Sequence, residues 1–431
     1  MITRILSSKT NSLFPSSFLS LTLIFTATFF TDNSFGADLK APIELSSAKV
    51  LPSGVRNLRY KGILVEGNDK YNNLGQQRIV ADPFFKTLTW RDLVDPKIDP
   101  IGKGLLKGFL TANNHNLDEV VGETTGDVSV SALAQVPVFA YGITEKLTLG
   151  FAIPIVQYKV SVDTGIRATD NLKNLARELE RDRKTFELGE LNQKMQDPVA
   201  QKLKDYNYAP LKNEEGTKLG DVKIVPKYLI TSSDLYAFAL QGEVTLPTGK
   251  APDINKVVDV APGDDQLDLG LNFLTDFYPL ENFTVSTSVG YTHQFADTVA
   301  RRIPEKEDSS LSPDVDGGVK RKMGDSMQGL VGLKYEFLKG FNFNSGYGLQ
   351  LKDKDKYNGQ VYAQERYQWM ENNTRQRMQT LQAGFGYSTL KLFQEKSFPV
   401  PLEANVNYSM LVEGKNVTKD PTTSFELVMF F

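Results

Sequence analysis

The sequence predicts an all-β fold, a transmembrane antiparallel up-and-down β-barrel of about twelve strands with helical insertions in its loops. Three observations carry this reading. Segments of alternating apolar and polar residues recur from Ser53 to the last residue, the period-two signature of a strand with two unlike faces. The linkers between them are by turns short and long, as in a membrane barrel with tight turns on one side and longer loops on the other. Finally, the chain closes on TSFELVMFF, in which Phe425, Leu427, Met429 and Phe431 share one side and Ser424 and Glu426 the other. Lipid cannot satisfy a free sheet edge, so a sheet in a bilayer must close on itself. The last strand is therefore expected to pair with the first.

The chain opens with Arg4 and Lys9, an uncharged run from Phe18 to Phe30, and the small residues of SFGA. A basic end, an apolar stretch of about 7 to 15 residues and small residues at the cut make a secretory leader. Residues 1–36 are assigned to it, with cleavage after Gly36 or Ala37, and residues 37–431 to the outer-membrane barrel. The apolar run falls short of the roughly 20 residues a spanning helix needs.

Twelve segments follow, near 53–66, 124–142, 146–160, 218–231, 234–247, 264–277, 283–296, 325–338, 341–354, 376–393, 398–412 and 422–431. In KLTLGFAIPIV, for example, Leu147, Leu149, Phe151, Ile153 and Ile155 oppose Thr148, Gly150, Ala152 and Pro154. Turns fall at 142–146, 232–234, 278–282, 338–340 and 394–397, and long connections at 67–123, 161–217, 248–263, 297–324 and 355–375. Aromatic residues such as Tyr141, Tyr228, Phe277, Tyr335 and Phe341 gather at segment ends, where interfacial girdles need rings. A soluble sandwich would also alternate. The opposed faces here are rich in Gly, Asn, Gln and charge, which suits a wet interior.

Composition removes several function classes. The 49 Lys and Arg against 52 Asp and Glu leave a net charge of −3, unsuited to a nucleic-acid partner whose phosphates must be neutralised. With no cysteine and only His115 and His293, thiolate chemistry is excluded and a multi-histidine metal site is disfavoured. No cofactor is expected. DKDKYNG at 353–359 imitates the start of a calcium loop, yet Tyr357 and Gln364 stand where acidic or amide ligands belong.

The stretches YGITEKLTLGFAIPI (141–155), GDVKIVPKYLI (220–230), LQGEVTLPTGK (240–250) and QLDLGLNF (266–273) resemble exported barrels of the group named for the meta-pathway of phenol degradation. More loosely, they resemble the long-chain fatty-acid outer-membrane transporters. The resemblance implies a channel for small, often hydrophobic compounds and supplies no catalytic motif. The fatty-acid transporters have more strands and an amino-terminal plug; a count of twelve sets this chain apart from them.

On the less apolar face of the segments lie Arg59, Lys61, Asp221, Lys223, Lys227, Glu243, Asp268, Asp276, Lys334, Glu336, Lys352 and Glu403, the candidate pore lining. Both signs are present, which points to cross-strand ion pairs rather than to a ring of one sign that selects ions. Lys223 and Lys227 with Asp221 and Glu243 are the first expected pairs. Within 161–217, Leu172, Leu175 and Leu179, then Leu188, Leu191 and Met195, recur at helical spacing after a cap at Thr169 or Asp170. These helices are expected as a lid or an outer decoration. The segment 84–121, with FFKTLTW and GLLKGFL, is expected as a plug or an outer loop.

The function that follows is passive passage of small, hydrophobic or aromatic solutes through the outer membrane, with no enzymatic step. The partners are outer-membrane lipid, the solute, and the barrel-assembly machinery acting on the C-terminal strand; no oligomeric state follows from the pattern. Two other readings are a lipid-modifying barrel enzyme, which needs a nucleophile beside His293, and a surface-recognition barrel. His293 in YTHQFAD has Phe295 two residues on and no serine presented beside it.

Overall fold

The computed structural model describes residues 35–38, 47–67, 69–79, 87–93, 107–174, 203–307, 309, 311–419 and 421–431. Twelve antiparallel strands run in chain order around a ring: β1 (Arg56–Gly67), β2 (Val120–Thr144), β3 (Leu147–Ala152, resuming as Ile155–Ala168) and β4 (Glu214–Leu219, resuming as Val222–Ser232). Next come β5 (Tyr236–Leu246), β6 (Asp268–Leu280), β7 (Phe283–Gln294) and β8 (Ser326–Leu338). The ring is completed by β9 (Phe341–Lys352), β10 (Gln376–Ser388), β11 (Leu402–Lys415) and β12 (Thr422–Phe430). Each pairs with the next, and β12 returns to β1 from Asn57↔Phe430 to Val65↔Thr422, so no spanning edge is left open. This is the closure expected of TSFELVMFF.

Register fixes the faces. Tyr228, Leu240, Phe273 and Val289 stand abreast on β4 to β7 and are 49%, 38%, 44% and 60% exposed. Every one of the twelve strands presents such a residue, from Leu58 on β1 to Leu427 on β12. A soluble protein rarely exposes an apolar belt of this extent, and a bilayer accommodates it. The alternate positions carry polar groups that are buried inside the ring, among them Asn57, Lys61, Asn272, Asp276, Ser286, Ser288 and Asn342. A soluble sandwich inverts this arrangement.

The expected turns connect the strands at one end. The exception is β10 to β11, where a short helix (Leu390–Gln394) replaces strand and β11 begins only at Leu402. Pro399 and Pro401 lack the N–H a ladder requires, and the Thr389 hydroxyl donates to Val400 O at 2.6 Å to close the turn.

At the opposite end the strands outrun the segments read from sequence. β3 continues to Ala168 and β4 begins at Glu214, inside the connection expected to be a helical loop. Both break their line at the same level, at Pro154 and Gly220, with Gly220 N donating to Pro154 O at 2.8 Å. Beyond Ala168 a helix opens at 170–174 with Leu172 fully buried. Thr169 O accepts from Lys173 N, so Thr169 sits at the cap, but its hydroxyl goes to Val121 O. Leu175, Leu179, Leu188, Leu191 and Met195 lie outside the described residues.

Smaller sheets decorate this end. Asp297–Ile303, Asp314–Lys322 and Lys356–Asn358 form one, packed on the helix Gln364–Trp369 around Ile303, Val319, Tyr357 and Tyr367. Phe35–Asp38 lies parallel to Val258–Ala261; the predicted cleavage point falls inside that strand. In 84–121, Thr87–Thr89 pairs with the outer part of β2, and Trp90 is buried against Phe109 and His115. The described part of that segment therefore belongs to the outer end.

Candidate permeation lumen

Alternation along each strand decides what the lumen holds, and the twelve candidate residues all take the inward parity. Lys223 Nζ meets Glu243 Oε1 at 2.6 Å between β4 and β5. Lys223 also acts on Asp221 through its charge. Asp221 sits where β4 breaks, and its carboxylate accepts backbone N–H groups of Thr248, Gly249 and Asp264 at 3.0, 2.8 and 3.4 Å. Lys227 Nζ donates to Ser47 O at 2.9 Å. Sequence parity puts these residues on one face, but it does not reveal the backbone groups that Asp221 and Lys227 also meet.

The remaining candidates spread along the bore. Arg59 reaches Glu426 across the β1–β12 seam at 3.7 Å, and Lys61 lies opposite Glu426 in register. Glu336 takes Lys391 Nζ at 2.9 Å and Gly340 N at 3.2 Å at the tight-turn end. Glu403 accepts from Ser388 Oγ at 3.3 Å. Lys334 is exposed and flanked in register by Thr284 and Asn344. At the outer end Lys352 is ion-paired with Asp355, and Gln266 Nε2 donates to Asp268 at 3.4 Å. Asp355 also accepts from Gly324 N at 2.7 Å, and Tyr357 is buried, so these two side chains of the calcium-loop imitation are occupied by protein contacts.

Asp276 is the centre of a contact that sequence reading missed. Only 1% exposed, it accepts Ser47 Oγ at 2.6 Å, Ala48 N at 3.0 Å, Ser286 Oγ at 2.6 Å and Tyr278 OH at 3.2 Å. Ala48 packs on Ala237, Ala239 and Leu274 of β5 and β6. Leu51 N then donates to Thr148 Oγ1 of β3 at 2.8 Å. A Cβ on Gly142 of β2 would lie 2.0 Å from Pro52 O, so glycine is what lets the segment pass. Residues 47–52 thus lie within the barrel along β2 to β6, just ahead of the first strand. The one cue available beforehand was the run of small residues Ser46, Ser47 and Ala48 before Pro52.

His293 Nδ1 meets Asp325 Oδ2 at 3.1 Å, and its ring stands edge-on to Phe295. Asp325 also receives Lys322, Tyr291 OH and Gln294 N. Burial alone would raise its pKa; these hydrogen bonds, led by Lys322, outweigh it and hold the carboxyl well below the usual carboxylate range.

Residues 111–427 match the family model described as "Putative MetA-pathway of phenol degradation". The chain belongs to this family. No curated protein matches the sequence. Among solved structures, an outer membrane channel from Pseudomonas putida F1 is similar at 11% identity and a TM-score of 0.49, over 90% of this chain and 100% of that one. The Pseudomonas putida toluene transporter TodX gives 9% identity and 0.32, over 88% and 89%. The Ralstonia pickettii toluene transporter TbuX gives 10% and 0.35, over 88% and 90%. In this member of the phenol-degradation family, then, the bore combines an inward polar lining with a tethered N-terminal segment.

Proposed function

We propose that the protein is an outer-membrane channel through which small, largely uncharged or aromatic solutes diffuse down their gradient, after export through a leader cut at Gly36 or Ala37. The observation that carries this is a closed twelve-strand ring, apolar outside and polar inside, whose bore is narrowed by residues 47–52. A barrel of this size leaves little room beyond its own side chains, so selection falls to the lining and to the segment. Family membership and the toluene transporters among its structural neighbours support a hydrophobic or aromatic cargo. The candidate charged residues act as internal ion pairs and tethers; the Lys223–Glu243 contact and the mixed signs support that role over ion selection. The C-terminal strand offers the assembly machinery its recognition element, and lipid contacts the outer belt. His293 serves as an anchor for the outer end through Asp325. Conductance of purified protein in planar lipid bilayers tests the reading, together with solute flux into liposomes. No conductance and no flux above protein-free membranes refutes it, and phospholipid hydrolysis lost in His293→Ala would favour an enzyme instead.

A further inference from the structure

The bore has two unlike halves. Residues 47–52 and their tethers occupy the side formed by β2 to β6, through Gly142, Thr148, Lys227 and Asp276. Across the ring, on β9 to β11, glycine stands between carboxamides at two levels, Asn342–Gly386–Asn405 and Asn344–Gly384–Asn407. There the amides lie over bare backbone. A Cβ on Gly386 would stand 2.2 Å from Asn405 Oδ1, and 2.8 and 2.9 Å from the Oδ1 and Nδ2 of Asn342. A Cβ on Gly346 would stand 2.7 Å from Gln382 Nε2. Register confirms the arrangement, since Asn342, Gly386 and Asn405 are abreast, as are Gly346 and Gln382.

A second observation singles out one place on this wall. Asn342 is 3% exposed, and its Oδ1 has no hydrogen-bond partner. Buried acceptors are ordinarily paired, and an unpaired one is costly. Its neighbours in register beyond the amides are Glu336 and Glu426, which face Lys391 and Arg59. Lys391, Arg59 and Lys334 each lie beside one of these carboxylates. Amides held close over glycine leave this stretch of wall without bulky side chains between them.

We propose that the Asn342–Gly386–Asn405 wall is a solute subsite of the channel, taking uncharged planar molecules that carry a hydrogen-bond donor for Asn342 Oδ1. Its residues determine specificity by two means. The glycines let the amides lie close against the strand, and the Asn342 carbonyl, covered in this structure, accepts the solute's donor once the side chains over it turn aside. The inference rests on the channel reading and adds to it a place and a ligand chemistry.

The test uses full-length protein in liposomes and three permeants: nicotinamide, planar and neutral with an N–H donor; nicotinate, the same ring ionised; and arabinose, neutral and not flat. Wild-type protein should pass nicotinamide faster than nicotinate. Asn342→Leu should cut nicotinamide flux at low concentration by about five-fold, the loss of one ordinary hydrogen bond, and leave arabinose flux unchanged. Gly386→Ala, in which the added methyl meets only side-chain atoms, should push the amides into the bore and lower nicotinamide flux while the barrel retains its heat-modifiable gel migration. Equal changes in nicotinamide and arabinose flux, or none in either variant, would overturn the subsite while leaving the channel standing. Absence of any flux in wild-type protein would overturn the channel itself and the subsite with it.

Discussion

Replacing Asp276 with Asn should release the segment that narrows the bore. The carboxylate holds Ser47 Oγ at 2.6 Å and Ala48 N at 3.0 Å, and Asn keeps its shape while removing its charge and one of its two acceptors. Hydrogen bonds to a charged group contribute about 1.5–3 kcal/mol each and neutral ones about 1. Both contacts fall on Oδ2, so an amide oxygen in its place keeps them as neutral bonds, and losing the charge from both should weaken the hold by about 2 kcal/mol, or roughly thirty-fold in the ratio of released to docked states. Lys227 to Ser47 O and Leu51 N to Thr148 Oγ1 remain in place, so the variant should flicker rather than stay open. Single-channel recordings at fixed voltage measure this directly, as the fraction of time spent in a larger conductance level. Thr148→Val should add a smaller increase of about five-fold by removing a neutral bond. If Asp276→Asn, Thr148→Val and a chain lacking residues 47–51 all show wild-type dwell times, residues 47–52 do not limit the pathway and the reasoning fails.

Breaking the Lys223–Glu243 pair with Glu243→Gln should cost no more than about 1 kcal/mol, because both partners are about a third exposed and solvent screens them; urea midpoints from gel-shift unfolding would show it, and a loss several times larger would mean a dry pair. Arg302→Lys should loosen the outer end. The guanidinium donates to Ile254 O, Tyr206 O and Asn207 O at 2.7–2.8 Å and lies 3.8 Å over the Tyr208 ring, a fork an ammonium cannot reproduce. Limited proteolysis should then cut 203–211 or 305–313 at least ten-fold faster. For Asp325, whose folded pKa is depressed, the stabilisation is complete above the unfolded value of about 4 and is lost as pH falls through the folded value. Proteolysis of the outer end should therefore be flat from pH 7 to 5 in the wild type, with acceleration only in strong acid, and Asp325→Asn should abolish that acid dependence.

The barrel could be read in the sequence because a two-faced strand writes its geometry locally. Each of the twelve segments falls on one strand of the ring, since lipid outside and polar groups inside force a period of two on every spanning stretch. Lys223 and Glu243 were predictable partners for a related reason: a tight turn sets the register of the strands that carry them. The contact between Ser47 and Asp276 crosses 229 positions and repeats nothing, so no pattern announces it. Asp221 shows a further limit of parity, for it reports a face and not whether the group there meets a side chain or three amides. The strand ends were blurred where alternation continues past the membrane, as in VSVDTGIRA of β3, and where Pro399 and Pro401 cut it short.

The two halves of the lumen follow from one constraint. A backbone laid inside a barrel brings its own N–H and C=O groups, and each must find a partner once water is excluded. Asp276, Thr148 and Lys227 supply an acceptor, a second acceptor and a donor on the side where residues 47–52 lie. On the facing wall, amides lie close over glycine. The tethers therefore belong to one side, and the proposed subsite to the other. Moving a charge across should expose the division. Asn405→Asp places a second carboxylate opposite Glu426 in register, and it should slow neutral planar solutes more than Glu243→Asp does, although both changes are small in volume.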